Sequence, residues 1–74
     1  MKKRISEIKA GETGRLTGLT HTGPLRRRLT DLGFTPGTGI TCLCRSPLGD
    51  PIAYEIKGTV IALRKKDAAG VLFL

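Results

Sequence analysis

The sequence contains no tryptophan and very few other aromatic residues. Phe34, Tyr54 and Phe73 are the three aromatic side chains among 74 residues. Surfaces that stack nucleic-acid bases, and grooves that hold proline-rich peptides, are built largely from aromatic rings. The composition therefore argues against both kinds of binding site.

Long apolar stretches are also lacking. The longest uninterrupted apolar runs are four residues each, at 60–63 and 71–74. A membrane-spanning helix needs about 20 apolar residues, so none is predicted. The basic segment at 1–7 is not followed by the apolar region of a signal peptide. We therefore expect a cytoplasmic protein.

Cysteines and acidic residues are scarce. Two cysteines, Cys42 and Cys44, are too few for the disulfide framework of a small secreted domain, and their spacing disfavours a mutual bond within an extended strand. Thirteen Lys and Arg against six Asp and Glu give a formal net charge of +7. This charge either serves solubility or attracts an anionic partner, such as nucleic acid, an acidic protein surface or lipid headgroups.

The residue pattern is dominated by strands. A chain of this length supports one hydrophobic core, and we expect residues 1–74 to form a single domain. Alternating or apolar segments bounded by Gly and Pro predict strands at 13–19, 38–45, 52–57, 60–63 and 71–74. Ile40, Cys42 and Cys44 are predicted to share one face of their strand. The fully apolar segment 60–63 is predicted to be buried on both sides or to close a barrel.

One short helix is predicted between the first two of these strands. Pro24 suits the first helical position, and Leu25, Leu29 and Leu32 recur at the spacing of one helix face. Gly33 is typical of the position that follows a helix. So short a helix must pack its leucines on the sheet to be stable. The sequence therefore predicts a mainly β fold, a small SH3-like five-stranded barrel with one inserted helix, closed so that no strand edge is exposed.

Three segments resemble the signature of a known family. Residues 28–37, RLTDLGFTPG, resemble the pattern RL-x-x-LG-[FM]-x-PG, residues 47–52 resemble a PLGDP loop, and residues 62–68 resemble an LRKxxA ending. In this order and spacing they are similar to the ferrous iron transport protein A family, FeoA. The same domain occurs at the C-terminus of DtxR-type metal-dependent repressors. Only the cysteine pair stands outside the signature.

The resemblance implies a bacterial or archaeal SH3-like domain of the cytosol that supports the membrane ferrous iron transporter FeoB. It implies a regulatory or scaffolding partner of the cytosolic portion of FeoB and no enzyme activity. No cofactor, no metal ligand, no nucleic-acid partner and no direct insertion into the membrane are expected, and the chain is expected to be a monomer or a weak homo-oligomer. The family is linked to transition-metal binding, although its signature holds no fixed ligand set.

Two segments are candidates for partner binding. The arginine run is either a solvated helix face or a guanidinium patch for carboxylates or phosphates. The loop between Pro47 and Pro51 is stiff because proline fixes φ. Its Leu48 either packs on the barrel or faces a partner. Its Asp50 is expected to form a hydrogen bond with its own backbone. The candidate residues are Arg26, Arg27, Arg28, Leu48, Gly49 and Asp50.

Two other functions stay open. The net charge permits a nucleic-acid-binding barrel, although the lack of aromatic residues counts against it. A metal sensor would use Cys42, Cys44 and His21 as ligands, although buried thiols and an exposed loop histidine are the ordinary interpretation of these residues. Catalysis has little support, because the six acids are scattered and no phosphate-binding loop is present.

Overall fold

Six antiparallel strands form one continuous sheet in the computed structural model, which describes residues 3–73. Met1 and Lys2, from the basic N-terminal segment, and Leu74, predicted to end the last strand, lie outside the described residues. The order of the strands in the sheet is β1-β6-β2-β3-β4-β5. The strands are β1 Lys3–Arg4, β2 Thr13–Leu19, β3 Gly39–Arg45, β4 Ile52–Ile56, β5 Thr59–Leu63 and β6 Val71–Phe73.

Two helices and one 3-10 turn complete the fold. Helix α1 spans Gly23–Asp31, helix α2 spans Lys65–Ala68, and the turn at Ile5–Glu7 leads into β2. Neither helix of the described chain has the length and apolar character needed to cross a membrane. The mainly β architecture with an inserted helix is the one predicted from the sequence, with the two-residue strand β1 as an addition.

Local turn chemistry explains where the chain reverses. Lys57 and Gly58 connect β4 to β5 with positive φ angles of 51° and 78°. A two-residue loop with both φ angles positive is a type I′ turn, the form that matches the twist of a hairpin. Gly33, with φ of 110°, follows α1 in the region that glycine enters without a Cβ penalty.

Every element except β1 contributes to one apolar core. The Tyr54 hydroxyl lies inside this core and donates a hydrogen bond of 3.0 Å to the Ile5 carbonyl. That bond ties β4 to the N-terminal 3-10 turn. The buried residues are Ile5, Ile8, Leu16, Leu29, Phe34, Ile40, Cys42, Ile52, Tyr54, Ile56, Leu63, Ala68 and Val71.

The prediction that 60–63 is buried on both sides is wrong. Val60 is 61% exposed and Ala62 is also exposed, whereas Leu63 is buried. The reason is the position of β5, which pairs with β4 only and ends the sheet. Within residues 3–73 no strand pairing joins β5 to β1, so the expected hydrogen-bonded closure of the barrel is not seen.

Two predicted apolar faces are only partly buried. In α1, Leu29 is 1% exposed, but Leu25 is 37% exposed, and Leu32, the residue that caps the end of the helix, is 42% exposed. In β3, Cys42 is buried as predicted, whereas Cys44 is exposed. A register shift between Cys42 and Cys44 in the pairing with β4 interrupts the alternation and places Cys44 on the solvent side.

Alkaline pH is expected to destabilise the fold through its single tyrosine. Burial raises the pKa of Tyr54 from 10.0 to about 12, and the nearby Cys42 adds to this rise while Arg45 opposes it. The neutral form is therefore favoured by folding, so stability is lost as the pH rises from the unfolded value through the folded one. The loss reaches roughly 2–3 kcal/mol. We expect tyrosinate absorbance to develop near pH 12 or on unfolding, and Tyr54→Phe to remove this pH dependence. Tyrosinate formation near pH 10 in the folded protein would contradict the burial.

Candidate interaction surface

The arginine run of α1 is divided between two roles. The Arg26 guanidinium turns back to the sheet and donates hydrogen bonds to the carbonyls of Leu19, at 2.9 Å, and His21, at 3.3 Å. It therefore anchors the start of α1 to the end of β2. Arg27 and Arg28 instead line an open depression on the outer side of the helix.

This depression combines apolar and charged groups. Its apolar floor comes from Pro24 and Leu32, while Arg27, Arg28 and Asp31 supply the charges. Arg27 and Arg28 are thus the two arginines of the run that line this depression, and their use as a guanidinium patch for carboxylates or phosphates stays a prediction. Because Arg26 is occupied by backbone carbonyls, the patch is smaller than the run of three arginines indicates.

A narrower groove separates α1 from β5. Its volume is about 220 Å³. Helix α1 and its cap residue Leu32 contribute Leu25, Leu29 and Leu32 to the walls of the groove, and Arg28 and Arg64 are the basic groups of the groove. On the opposite side lie Ile61, Ala62 and Leu63. The half-exposed leucines of α1 thus form an apolar wall beside the edge strand, a feature that the helical pattern alone does not predict.

A third depression is strongly basic. Arg4, Arg64, Lys65 and Lys66 line it together with Ser6, Asp50 and Ala69. The Asp50 carboxylate accepts a hydrogen bond of 2.9 Å from the Lys65 backbone N–H. Asp50 was predicted to bond to its own backbone, so that prediction is wrong. The long-range contact joins the loop at 46–51 to the segment that begins α2, and thereby brings two of the three family motifs together.

The loop at 46–51 is closed by a serine. The Ser46 hydroxyl donates to the Asp50 carbonyl at 2.7 Å and accepts from the Asp50 N–H at 2.9 Å. The Gly49 N–H donates to the Ser46 carbonyl at 2.8 Å, and the Asp50–Pro51 peptide bond is cis. Leu48 is 94% exposed at the tip of this internally bonded loop, so it is presented to solvent rather than packed on the barrel.

The three depressions form one continuous surface. The first two share Arg28 and Leu32, and the second and third share Arg64. We call this continuous surface the α1–β5 face. Basic side chains outnumber acidic ones on it: Arg4, Arg27, Arg28, Arg64, Lys65 and Lys66 against Asp31, Asp50 and Asp67. Such a surface attracts a negatively charged partner and offers it apolar contacts.

His21 is a structural residue and not an exposed loop histidine. Its side chain is partly buried, and Nε2 donates to the Asp67 carbonyl over 2.8 Å. A Cβ at position 70 would lie 2.6 Å from the ring, so this packing requires Gly70. His21 therefore links the start of α1 to the end of α2.

The three ligands of the metal-sensor hypothesis, Cys42, Cys44 and His21, do not converge in the structure. No group of three or more His, Cys, Asp or Glu side chains capable of holding a metal ion comes together within residues 3–73. Cys42 lies in the core and Cys44 lies on the surface, while His21 contacts α2. The three proposed ligands are not brought together.

The two thiols are expected to react very differently. Burial is the main cause that raises the pKa of Cys42 from 9.0, which lowers the fraction of reactive thiolate. Cys44 is exposed. We expect a thiol reagent to modify one cysteine rapidly in the native protein and the second only on unfolding. Cys44→Ser should abolish the rapid phase, whereas rapid labelling of that variant would contradict the burial of Cys42.

The aromatic residues do not provide a nucleic-acid platform. Phe34 and Tyr54 are in the core, and Phe73 is partly buried against it. Stacking on aromatic rings is the usual basis for binding single strands and RNA loops. The nucleic-acid hypothesis therefore retains only the net charge of +7 as support.

Sequence comparison places the chain in a known group. A family model described as the FeoA domain matches residues 3–73. A relative from Porphyromonas gingivalis, described as an Fe(2+) transport protein A/Fe(2+) transporter FeoB fusion protein, is 34% identical over 68 residues. The match covers 92% of this chain and 8% of the relative, so the chain spans only a small part of that protein.

Solved structures share the fold. FeoA from Chlorobium tepidum, determined in solution, has a TM-score of 0.89 at 35% identity, over 96% of this chain and 69% of that one. Zinc-bound FeoA from Stenotrophomonas maltophilia has a TM-score of 0.85 at 25% identity, over 96% and 88% of the two chains. It is described as a prokaryotic SH3 domain protein and as a candidate activating factor of ferrous iron transport.

A longer solved chain contains the same fold. IdeR from T. acidophilum has a TM-score of 0.84 at 19% identity, over 97% of this chain and 33% of that one, a likeness of fold alone. The predicted SH3-like fold is thus confirmed, and the predicted likeness to repressor domains is confirmed as a likeness of fold. With a family model that matches nearly its whole length, the chain belongs to the FeoA family.

Proposed function

We propose that the chain is a cytoplasmic, non-catalytic interaction module of ferrous iron uptake that binds and regulates the cytosolic portion of the transporter FeoB. The observation that carries this proposal is the relative in which an Fe(2+) transport protein A segment and FeoB belong to one polypeptide. A covalent link holds two modules at high effective concentration. We infer that the same two partners meet here through a binding surface.

The α1–β5 face is the surface that suits this role best. It combines the exposed leucines of α1 with the guanidiniums of Arg27 and Arg28 and with the basic depression beside Asp50. Apolar contact supplies affinity, while charge complementarity steers the encounter and fixes orientation. Of the six predicted partner-binding residues, we propose Arg27 and Arg28 as direct contacts and Arg26 as their structural support.

The loop at 46–51 is proposed as a second contact with the partner. Asp50 holds the loop against Lys65, and the bonded turn around Gly49 fixes the direction in which Leu48 points. We propose that Leu48 adds an apolar contact at the margin of the same interface. A rigid loop loses little entropy on binding, which favours such a contact.

Titration of the chain with the cytosolic portion of FeoB tests the proposal. We expect saturable binding, with affinity that falls as the salt concentration rises because the surface is basic. Cells that lack the chain should also take up ferrous iron at an altered rate, and the wild-type chain should restore that rate. No binding, together with unchanged uptake in cells lacking the chain, would contradict the proposal.

A further inference from the structure

Strand β5 has an open hydrogen-bonding edge. It pairs with β4 from Ile56↔Thr59 to Ile52↔Leu63, without a bulge, and with no other strand of the described chain. The turn at 57–58 places Ile56 and Thr59 in a pair whose backbone groups face each other. Because backbone groups alternate in direction along an antiparallel strand, Thr59, Ile61 and Leu63 direct theirs toward β4.

The remaining backbone groups of β5 point away from the sheet. By the same alternation, Val60 and Ala62 direct their N–H and C=O groups outward. Within residues 3–73, neither residue makes a backbone hydrogen bond to a turn, loop or helix. Two donors and two acceptors on one strand are the pattern that an incoming strand requires.

This edge lacks the protection that exposed strands usually carry. Natural sheets block their edges with charged residues, proline, bulges or very short strands. The five residues of β5 read Thr-Val-Ile-Ala-Leu and contain neither charge nor proline, and the pairing with β4 is regular. An unprotected apolar edge in a highly charged protein indicates that a binding partner pairs with this strand when the protein functions.

The residues that line the groove between α1 and β5 indicate the chemistry of a segment that would pair with β5. Leu25 and Leu32 form the apolar wall that faces β5, and Arg28 and Arg64 are the basic groups of the groove. Asp67 is the single acid among the lining residues. An extended segment with alternate apolar side chains would fill the groove, and carboxylates on the same segment would pair with the arginines.

We propose that β5 accepts an extended acidic segment of the partner as an additional strand, with its apolar side chains in the groove between α1 and β5. This inference rests on the proposed function for the source of the segment, the cytosolic portion of FeoB. Backbone hydrogen bonds to Val60 and Ala62 supply the pairing, and the leucines of α1 select the side chains.

Proline scanning of the open edge tests the pairing. Ala62→Pro removes the outward N–H, and proline is tolerated on an edge strand where its missing donor faces solvent. Ala62→Ser keeps the N–H and is of similar size, so it is the matched control. We expect Ala62→Pro to bind the cytosolic portion of FeoB at least about tenfold more weakly than Ala62→Ser. Both variants should retain the thermal transition of the wild type, and equal affinities would overturn the proposal.

A synthetic probe tests the edge independently of the transporter. The probe is a seven-residue peptide of alternating glutamate and valine, and its control is the same peptide with every backbone amide nitrogen methylated, so that neither of its edges can donate to β5. We expect the unmodified peptide alone to slow amide exchange at Val60 and Ala62. Protection by the peptide without binding of FeoB would sustain the edge and refute the proposed function. Binding of FeoB that leaves both amides at their free exchange rates would support the proposed function and refute the pairing of the partner with β5.

The remaining outcomes also decide the proposal. If neither the transporter portion nor the peptide binds, the edge is not a docking site and the proposal fails. If the two amides become protected in the free protein as its concentration rises, β5 pairs with β5 of a second copy. Sedimentation would then detect a dimer, and the assignment of the edge to an acidic partner segment would be wrong.

Discussion

Replacing Leu29 by aspartate is expected to leave no folded domain at neutral pH. Leu29 is 1% exposed and is the buried contact of α1 with the core. An unpaired carboxylate at this site costs several kcal/mol, which is comparable to the total stability of a small domain. Circular dichroism and thermal melting should show an unfolded chain without a cooperative transition.

Leu25→Asp is the matched control for this prediction. Leu25 lies one helical turn before Leu29 on the same helix but is 37% exposed, so its replacement can remain hydrated. We expect this variant to fold and to lose no more than about 1–2 kcal/mol. A cooperative transition for Leu29→Asp with near wild-type midpoint would show that α1 is not anchored through this residue.

Reversing two charges on the α1–β5 face is expected to weaken binding to the cytosolic portion of FeoB strongly without unfolding the chain. Arg28 and Arg64 are exposed and line the groove between α1 and β5. In the double variant Arg28→Glu and Arg64→Glu, an acidic partner meets repulsion in place of attraction at two positions. We expect the affinity at low salt to fall by a factor of at least about 100.

The control for this experiment carries the same net charge. Two reversals change the charge by −4, so the double variant falls from +7 to +3. Lys9→Glu with Lys57→Glu gives the same value, and both lysines are exposed and line none of the three depressions. We expect this control to bind within about threefold of the wild type at moderate salt. Equal weakening of both variants would mean that total charge, and not the α1–β5 face, determines binding.

Features with a local cause could be predicted from the sequence. The limits of α1 follow from Pro24 and Gly33, whose conformational preferences act within one or two residues. The hairpin between β4 and β5 follows from the alternation at 52–57 and the glycine in its turn. The SH3-like fold was also accessible, because the number and spacing of the strands leave few arrangements.

Features that depend on the assembled sheet could not be predicted in the same way. The apolar run at 60–63 predicts a strand, but only the strand order reveals that one face of it is exposed. The shift between Cys42 and Cys44 reverses the direction of Cys44, and no residue in that segment signals it. The contact between Asp50 and Lys65 joins residues 15 positions apart, which no local pattern specifies.

The candidate site was predicted in part. The arginine run predicts a binding role for Arg26, Arg27 and Arg28; Arg27 and Arg28 lie on the α1–β5 face, whereas Arg26 bonds to a backbone carbonyl within the fold. The exposure of Leu48 excludes its packing on the barrel, while its contact with a partner stays a proposal. The sequence assigns Arg64 only to a family motif, although Arg64 lies in two of the three depressions. The signal that would have assigned it a role is the proximity of α2 to β5 and α1, which exists only in the folded chain.

Hydrogen exchange across the whole chain, with and without the cytosolic portion of FeoB, tests the central claim most directly. The account predicts slower exchange in α1 and β5, extending to the loop around Leu48, with little change in the pairing of β2 with β3. Protection confined to β2 and β3, or no protection anywhere at saturating partner, would contradict the assignment of the α1–β5 face as the surface that recognises the transporter.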